Sequence, residues 1–176
     1  MQYLNPALAF DAIRDFLAAG GPVLMLIMGV TFFMWALILE RIMYWTTANG
    51  AVKKRAVREW SARTDHKSWY AHAVRDKLIS EVKQDASRFN GIIKALVAVT
   101  PLLGLLGTVT GMVFVFDVMA TTGSSNARLM ASGISQATIP TMAGLVASLS
   151  GLVCINFFEA YVRKTESRIS EDLVIE

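Results

Sequence analysis

The chain has 176 residues, 54% of them hydrophobic, and its 18% of charged residues fall in blocks that leave long uncharged runs. That pattern is the mark of a polytopic membrane protein and leaves no room for a separate soluble catalytic domain. The net charge of +3 and pI near 9.2 are accounted for by a basic loop beside a membrane, and without base-stacking motifs they do not call for nucleic acid.

In residues 1–19, Phe10, Ile13 and Leu17 recur at helical spacing opposite Asp11, Arg14 and Asp15, which predicts an amphipathic helix lying on the outer membrane surface. The segment lacks the basic start of a cleaved signal peptide. A Gly20, Gly21, Pro22 break opens the first predicted span, residues 20–45, whose uncharged run is Phe16 to Leu39 and which ends in an interfacial group from Glu40 to Trp45. Glu40 and Arg41 are expected to pair or snorkel there. The run has 24 residues, and those from Ala95 to Phe116 and from Leu129 to Phe158 have 22 and 30. Each exceeds the roughly 20 residues a helix needs to cross about 30 Å of hydrocarbon.

Residues 46–94 carry eleven Lys or Arg against five acidic residues, so the positive-inside rule makes this loop cytoplasmic. It has no proline, and Glu59 and Arg63 stand four apart, which predicts helical extensions below the membrane, with Trp60, Trp69 and Tyr70 packing them together. The basic residues are also placed to meet anionic lipid. His66 and His72 lack ligand partners, so no metal site is expected. The second span, 95–120, is followed by a turn over 121–128, where TTGSSNA stands, and by a third span, 129–158. The tail, 159–176, bears Arg163, Lys164 and Arg168, which places the C-terminus inside and the N-terminus outside. The predicted fold is thus an all-α membrane protein of three transmembrane helices with long cytoplasmic extensions.

The second and third spans are notched along one side. At 100° per residue, Thr100, Pro101, Gly104, Gly107, Thr108, Gly111 and Val115 share one face of the second. Gly133, Gln136, Ala137, Pro140, Thr141, Gly144, Ala147, Ser148 and Gly151 share one face of the third. Small residues let membrane helices approach closely, so both faces serve either helix packing or a pore. Pro140 deprives the Gln136 carbonyl of its helical partner, and Gln136 adds an amide at the same depth. Away from their ends the spans hold no Asp, Glu, Lys, Arg or His, the groups that carry intramembrane proton relays. If the chain moves protons, the titrating group must come from elsewhere. Cys154 has no disulfide mate, and no G-x-x-x-x-G-K phosphate loop is present.

The segments GGPVLMLIMG and ILERI, PLLGLLGTVTGM, and GISQATIPTMAGL, one set in each span, resemble the ExbB/TolQ/MotA proton-channel family, ExbB and TolQ most. MotA has an additional span and a larger cytoplasmic part. The resemblance implies a pentamer around a dimer of ExbD, whose aspartate-bearing helix sits in the central pore, in the inner membrane of a Gram-negative bacterium. A TonB-like protein would carry the work to outer-membrane receptors. It implies no enzyme activity and no cofactor. Family pore positions fall on Thr108 and Thr141, with Gln136 and Ser148 on the same proton-pathway face, and with Pro101, Gly104, Gly107, Gly111, Pro140 and Gly144 as its packing or pore surface. Gln136 stands where well-studied members have a glutamate, and Pro140 is unusual there. A TolQ-like role in envelope constriction and a non-conducting scaffold are the alternatives, with an intramembrane enzyme the weakest, since only Cys154 and hydroxyls could act as nucleophiles.

Overall fold

The structure is a computed structural model, and it describes residues 6–47, 49–122 and 127–173. Five helices follow one another: α1 (Pro6–Thr47), α2 (Asn49–Ser61), α3 (Trp69–Ser87), α4 (Asn90–Thr122) and α5 (Ala127–Asp172). No strand occurs among the described residues. Stretches of α1, α4 and α5 are long and apolar enough to cross a membrane, in agreement with the three predicted spans. The side chain of Phe10, part of the predicted amphipathic face, lies outside the described residues, as do residues 123–126 of the predicted turn.

Helix α1 breaks at Gly21, which adopts φ 66° and ψ −168°, a conformation open to glycine and closed to residues with a Cβ. Pro22 follows and withholds an N–H at the same place. The GGP signal therefore marks a kink within α1.

The chain divides into two compact units. The first comprises residues 1–34 and 95–151, the second residues 35–94 and 152–176. In the first unit the buried positions of α4 are Val97, Thr100, Gly104, Gly107, Gly111 and Val115, and those of α5 are Gly133, Ala137, Pro140, Gly144, Ala147 and Gly151. The steps of three and four residues are those of a helix seam. Lipid offers helices no hydrophobic reason to associate, so the seam is made of small residues that bring backbones together.

The same α5 spacing continues in the second unit with larger residues: Ile155, Phe158, Val162, Thr165, Ile169 and Leu173 are buried. Here a core of Ala56, Trp60, Ala71, Leu78, Val82, Ile169 and Leu173 forms between α2, α3 and the end of α5. Outside hydrocarbon, burial of large apolar side chains is worth about 25 cal/mol per Å², and this unit's core is built of such side chains.

Three expectations are corrected in this unit. Trp60 is buried, but Trp69 is 81% exposed and Tyr70 is 56% exposed, because they open α3 beyond the core. Glu59 pairs with Arg55 at 2.7 Å rather than with Arg63, whose guanidinium lies over the Tyr70 ring. Arg41 neither snorkels nor stays at the surface. It is fully buried, and its Nη2 donates to the carbonyls of Asp85 and Ala86 at 2.6 and 3.1 Å, closing the C-terminal end of α3. Arg75 does the same for α5, donating to the carbonyls of Leu173 and Ser170 at 2.7 and 2.8 Å. Ion pairs of Lys94 with Glu159 and of Lys83 with Glu166 hold α4 and α3 to α5.

Candidate functional site

The notched faces of α4 and α5 are turned towards each other within one chain. A Cβ placed on Gly104 would stand 3.0 Å from the Thr141 Cα, one on Gly107 2.6 Å from the Pro140 Cβ, and one on Gly111 2.7 Å from both Cα and N of Ala137. From the other side, a Cβ on Gly144 would stand 2.8 Å from the Thr100 carbonyl oxygen. The glycines are spent on backbone approach, and their notches are filled by the chain's own α5.

Hydroxyls stitch this seam. Thr141 Oγ1 donates to the Gly104 carbonyl at 3.0 Å, and Ser148 Oγ donates to the Val97 carbonyl at 2.8 Å. Val97 lies four residues before Pro101, so its carbonyl is the one that the proline leaves without a helical N–H. The rule applied to Pro140 and Gln136 in the sequence thus has its counterpart at Pro101, with Ser148 as the donor. Thr100, also fully buried, turns its hydroxyl back to the Leu96 carbonyl at 2.6 Å.

Thr108 stands apart from these bonds. It is half-buried beside Gly107, and its Oγ1 bonds only its own helix, at the Leu105 carbonyl, 2.7 Å away. Gln136 is also half-buried, at a cavity of about 200 Å³ beside the kink of α1, with Gly21, Pro22, Thr110 and Phe114 around it. The structure brings Thr141, Ser148, Pro101, Pro140 and the four glycines into one seam, and places Thr108 at its margin and Gln136 at the kink. Sequence reasoning did not single out the Val97 carbonyl, although the proline offset was a readable signal, and it took Arg41 for an interfacial residue.

The model of the MotA/TolQ/ExbB proton channel family matches residues 44–171, which include α4 and all but the last residue of α5. The chain belongs to that family. It is 39% identical over 80 residues to the ExbB-like 3 protein of Synechocystis sp., covering 44% of this chain and 38% of the relative. To the biopolymer transport protein ExbB of Salmonella typhimurium it is 29% identical over 96 residues, covering 54% and 39%. To the biopolymer transport protein exbB1 of Vibrio cholerae it is 30% identical over 113 residues, covering 58% and 50%. The chain thus spans half or less of the length of these relatives. Family membership and three apolar helices together make it a multi-pass membrane protein.

Proposed function

We propose that this chain is the ring-forming subunit of a proton-driven inner-membrane motor, assembled as a pentamer around a dimer of an ExbD-like partner and energising a TonB-like protein for transport across the outer membrane. The observation that carries the reading is the absence of any Asp, Glu, Lys, Arg or His from the three uncharged runs of a proton-channel family member. Protons crossing such a protein need a titrating group from elsewhere, and a partner helix bearing a carboxylate supplies it. Each proton then releases about 2.3 kcal/mol per 100 mV of membrane potential.

Thr108 is the hydroxyl assigned to the pore wall, because the seam leaves it engaged only with its own helix turn. A neutral hydroxyl bonds a carboxylic acid and a carboxylate alike, whereas a fixed charge would pin the partner. Thr141 and Ser148 stand one step behind it, holding α4 and α5 in register, and Gln136 supplies an amide where a charged residue would otherwise sit. The basic segment 46–94 faces the cytoplasm in this reading.

Thr108→Val tests the assignment. Its only hydrogen bond is local, so the variant is expected to assemble normally and to lose receptor-driven uptake. Normal uptake by Thr108→Val removes the hydroxyl from the pore. A second reading, a non-conducting scaffold, is favoured by one observation: the glycine notches are filled within the chain. It predicts output that is indifferent to collapse of the proton gradient by an uncoupler, whereas a motor stops.

A further inference from the structure

Helix α2 lies between two surfaces of opposite charge, one of them completed by α3. At about 100° per residue, Val52, Arg55, Ala56 and Glu59 fall on one side and Lys53, Lys54, Val57, Arg58 and Ser61 on the other, about 180° apart. The first side forms a groove of about 360 Å³ with α3, floored by Val52, Ala56, Leu78 and Val82. Glu59, Glu81 and Asp85 rim it, and Arg55 is its one cation, already bonded to Glu59. Three of the five acidic residues between Thr46 and Ala95 are therefore gathered at one groove, in a segment with eleven basic residues. Lys77 reaches Glu81 at 3.5 Å from outside the groove. The second side is a shallow surface of about 410 Å³ bounded by Lys53, Lys54 and Arg58, with Asp172 its only carboxylate.

The groove rim sums to −2 and the opposite surface to +2. Two complementary patches on opposite sides of one helix cannot meet within one chain, but they meet between copies. A contact of this head-to-tail kind leaves a free half on each copy, and it closes into a ring when the rotation permits. We propose that the acidic groove of α2 and α3 receives the basic face of α2 from a second copy of this chain, repeated around the assembly. The inference rests on the ring reading given above. Charge pairs of this exposed kind set register and partner orientation more than affinity. The apolar floor gives the methylene stems of Lys54 and Arg58 a surface to cover.

The test is native mass spectrometry of the full chain, wild type and three charge variants. Lys53→Glu/Lys54→Glu/Arg58→Glu sets acid against acid, and Glu59→Lys/Glu81→Lys/Asp85→Lys sets base against base. Each is expected to lower the ring yield by about tenfold, since like charges facing across an interface are penalised. The sixfold variant, with both faces reversed, restores complementarity and is expected to recover the ring. Because reversal could harm folding, helix content by circular dichroism is compared, and a second readout uses Cys154→Ser chains. In that background Ser61→Cys with Gln84→Cys, one cysteine per face, is expected to give a ladder of disulfide-linked multimers on oxidation, and neither single cysteine extends beyond a dimer. A ring that survives both reversals, or that assembles with no ladder, overturns the proposal and leaves the ring reading standing. Reversal of Lys53, Lys54 and Arg58 that spares the ring but abolishes binding to phosphatidylglycerol vesicles reassigns that face to lipid and likewise overturns it. A wild-type chain that stays monomeric with its partner present overturns the ring reading and the proposal together.

Discussion

The hydroxyl of Ser148 donates to the carbonyl of Val97 at 2.8 Å, filling the position that Pro101 leaves empty in its own helix. A serine 47 positions from the proline thus supplies, from its side chain, the donor that the Val97 carbonyl lacks in its own helix. Unsatisfied carbonyls in hydrocarbon are expensive, so the pair acts as a unit.

Ser148→Ala is expected to destabilise the α4–α5 pair by about 0.6–1.7 kcal/mol, the range for interhelical hydrogen bonds in membranes. In a Pro101→Ala background, where the residue 101 N–H returns to the Val97 carbonyl, the same change should cost much less. The measurement is a double-mutant cycle on unfolding in detergent. Equal costs in both backgrounds would show that the two residues are independent.

Gly111→Ala should cost about 1–3 kcal/mol, because the new Cβ meets backbone atoms of Ala137 at 2.7 Å, and a helix axis must shift where no side chain can give way. Gly29→Ala is the control. A Cβ there meets nothing within 4 Å, and alanine is the better helix former, so no loss is expected. Thermal unfolding of the two variants in the same detergent separates a contact effect from a general intolerance of glycine replacement.

Arg41→Met should weaken the second unit by about 3 kcal/mol. It removes a charged donor from two carbonyls at the end of α3 and leaves both in a buried setting. Arg41→Lys should recover only part of this, since an ammonium lacks the flat guanidinium that lies 4.8 Å from the centre of the Tyr44 ring. Amide exchange over residues 85–93 reports the local opening, and unchanged protection in Arg41→Met contradicts the capping role.

The turn that starts α3 carries a pH dependence of known sign. The Asp65 carboxylate accepts from the Ser68 hydroxyl and from the amides of Ser68 and Lys67, which holds its pKa below the ordinary 3.8. A carboxylate with a depressed folded-state pKa contributes fully above its unfolded value and loses that contribution as pH falls through the folded one. Protection of the Ala71 amide, capped by Ser68 Oγ at 3.2 Å, should therefore be flat from pH 7 to about 5 and fall only below about 4. Asp65→Asn should lower it at every pH. A loss of protection that begins well above pH 5 contradicts the role given to the Asp65 carboxylate.

Much of this protein is legible in one dimension. Charge blocks and uncharged runs determine the number of membrane helices, because the cost of burying a charge in hydrocarbon acts on each residue wherever it packs. The stripe of Thr100, Gly104, Gly107 and Gly111 follows from helical period alone. The family motifs lie in these same stretches, so the sequence also led to the family.

What the stripe faces was decided in three dimensions. A glycine face suits a pore wall and a helix seam equally, and the choice depends on the backbone of Thr141, Pro140 and Ala137, 26 to 37 residues further on, arriving at contact distance. The same holds for Arg41. Its position at the end of an apolar run reads as interfacial, and only the arrival of α3, with the Asp85 and Ala86 carbonyls left over at its end, makes burial of a guanidinium favourable. Local periodicity belongs to the chain, but the satisfaction of a polar group belongs to whichever distant segment reaches it, and that is a property of the tertiary structure.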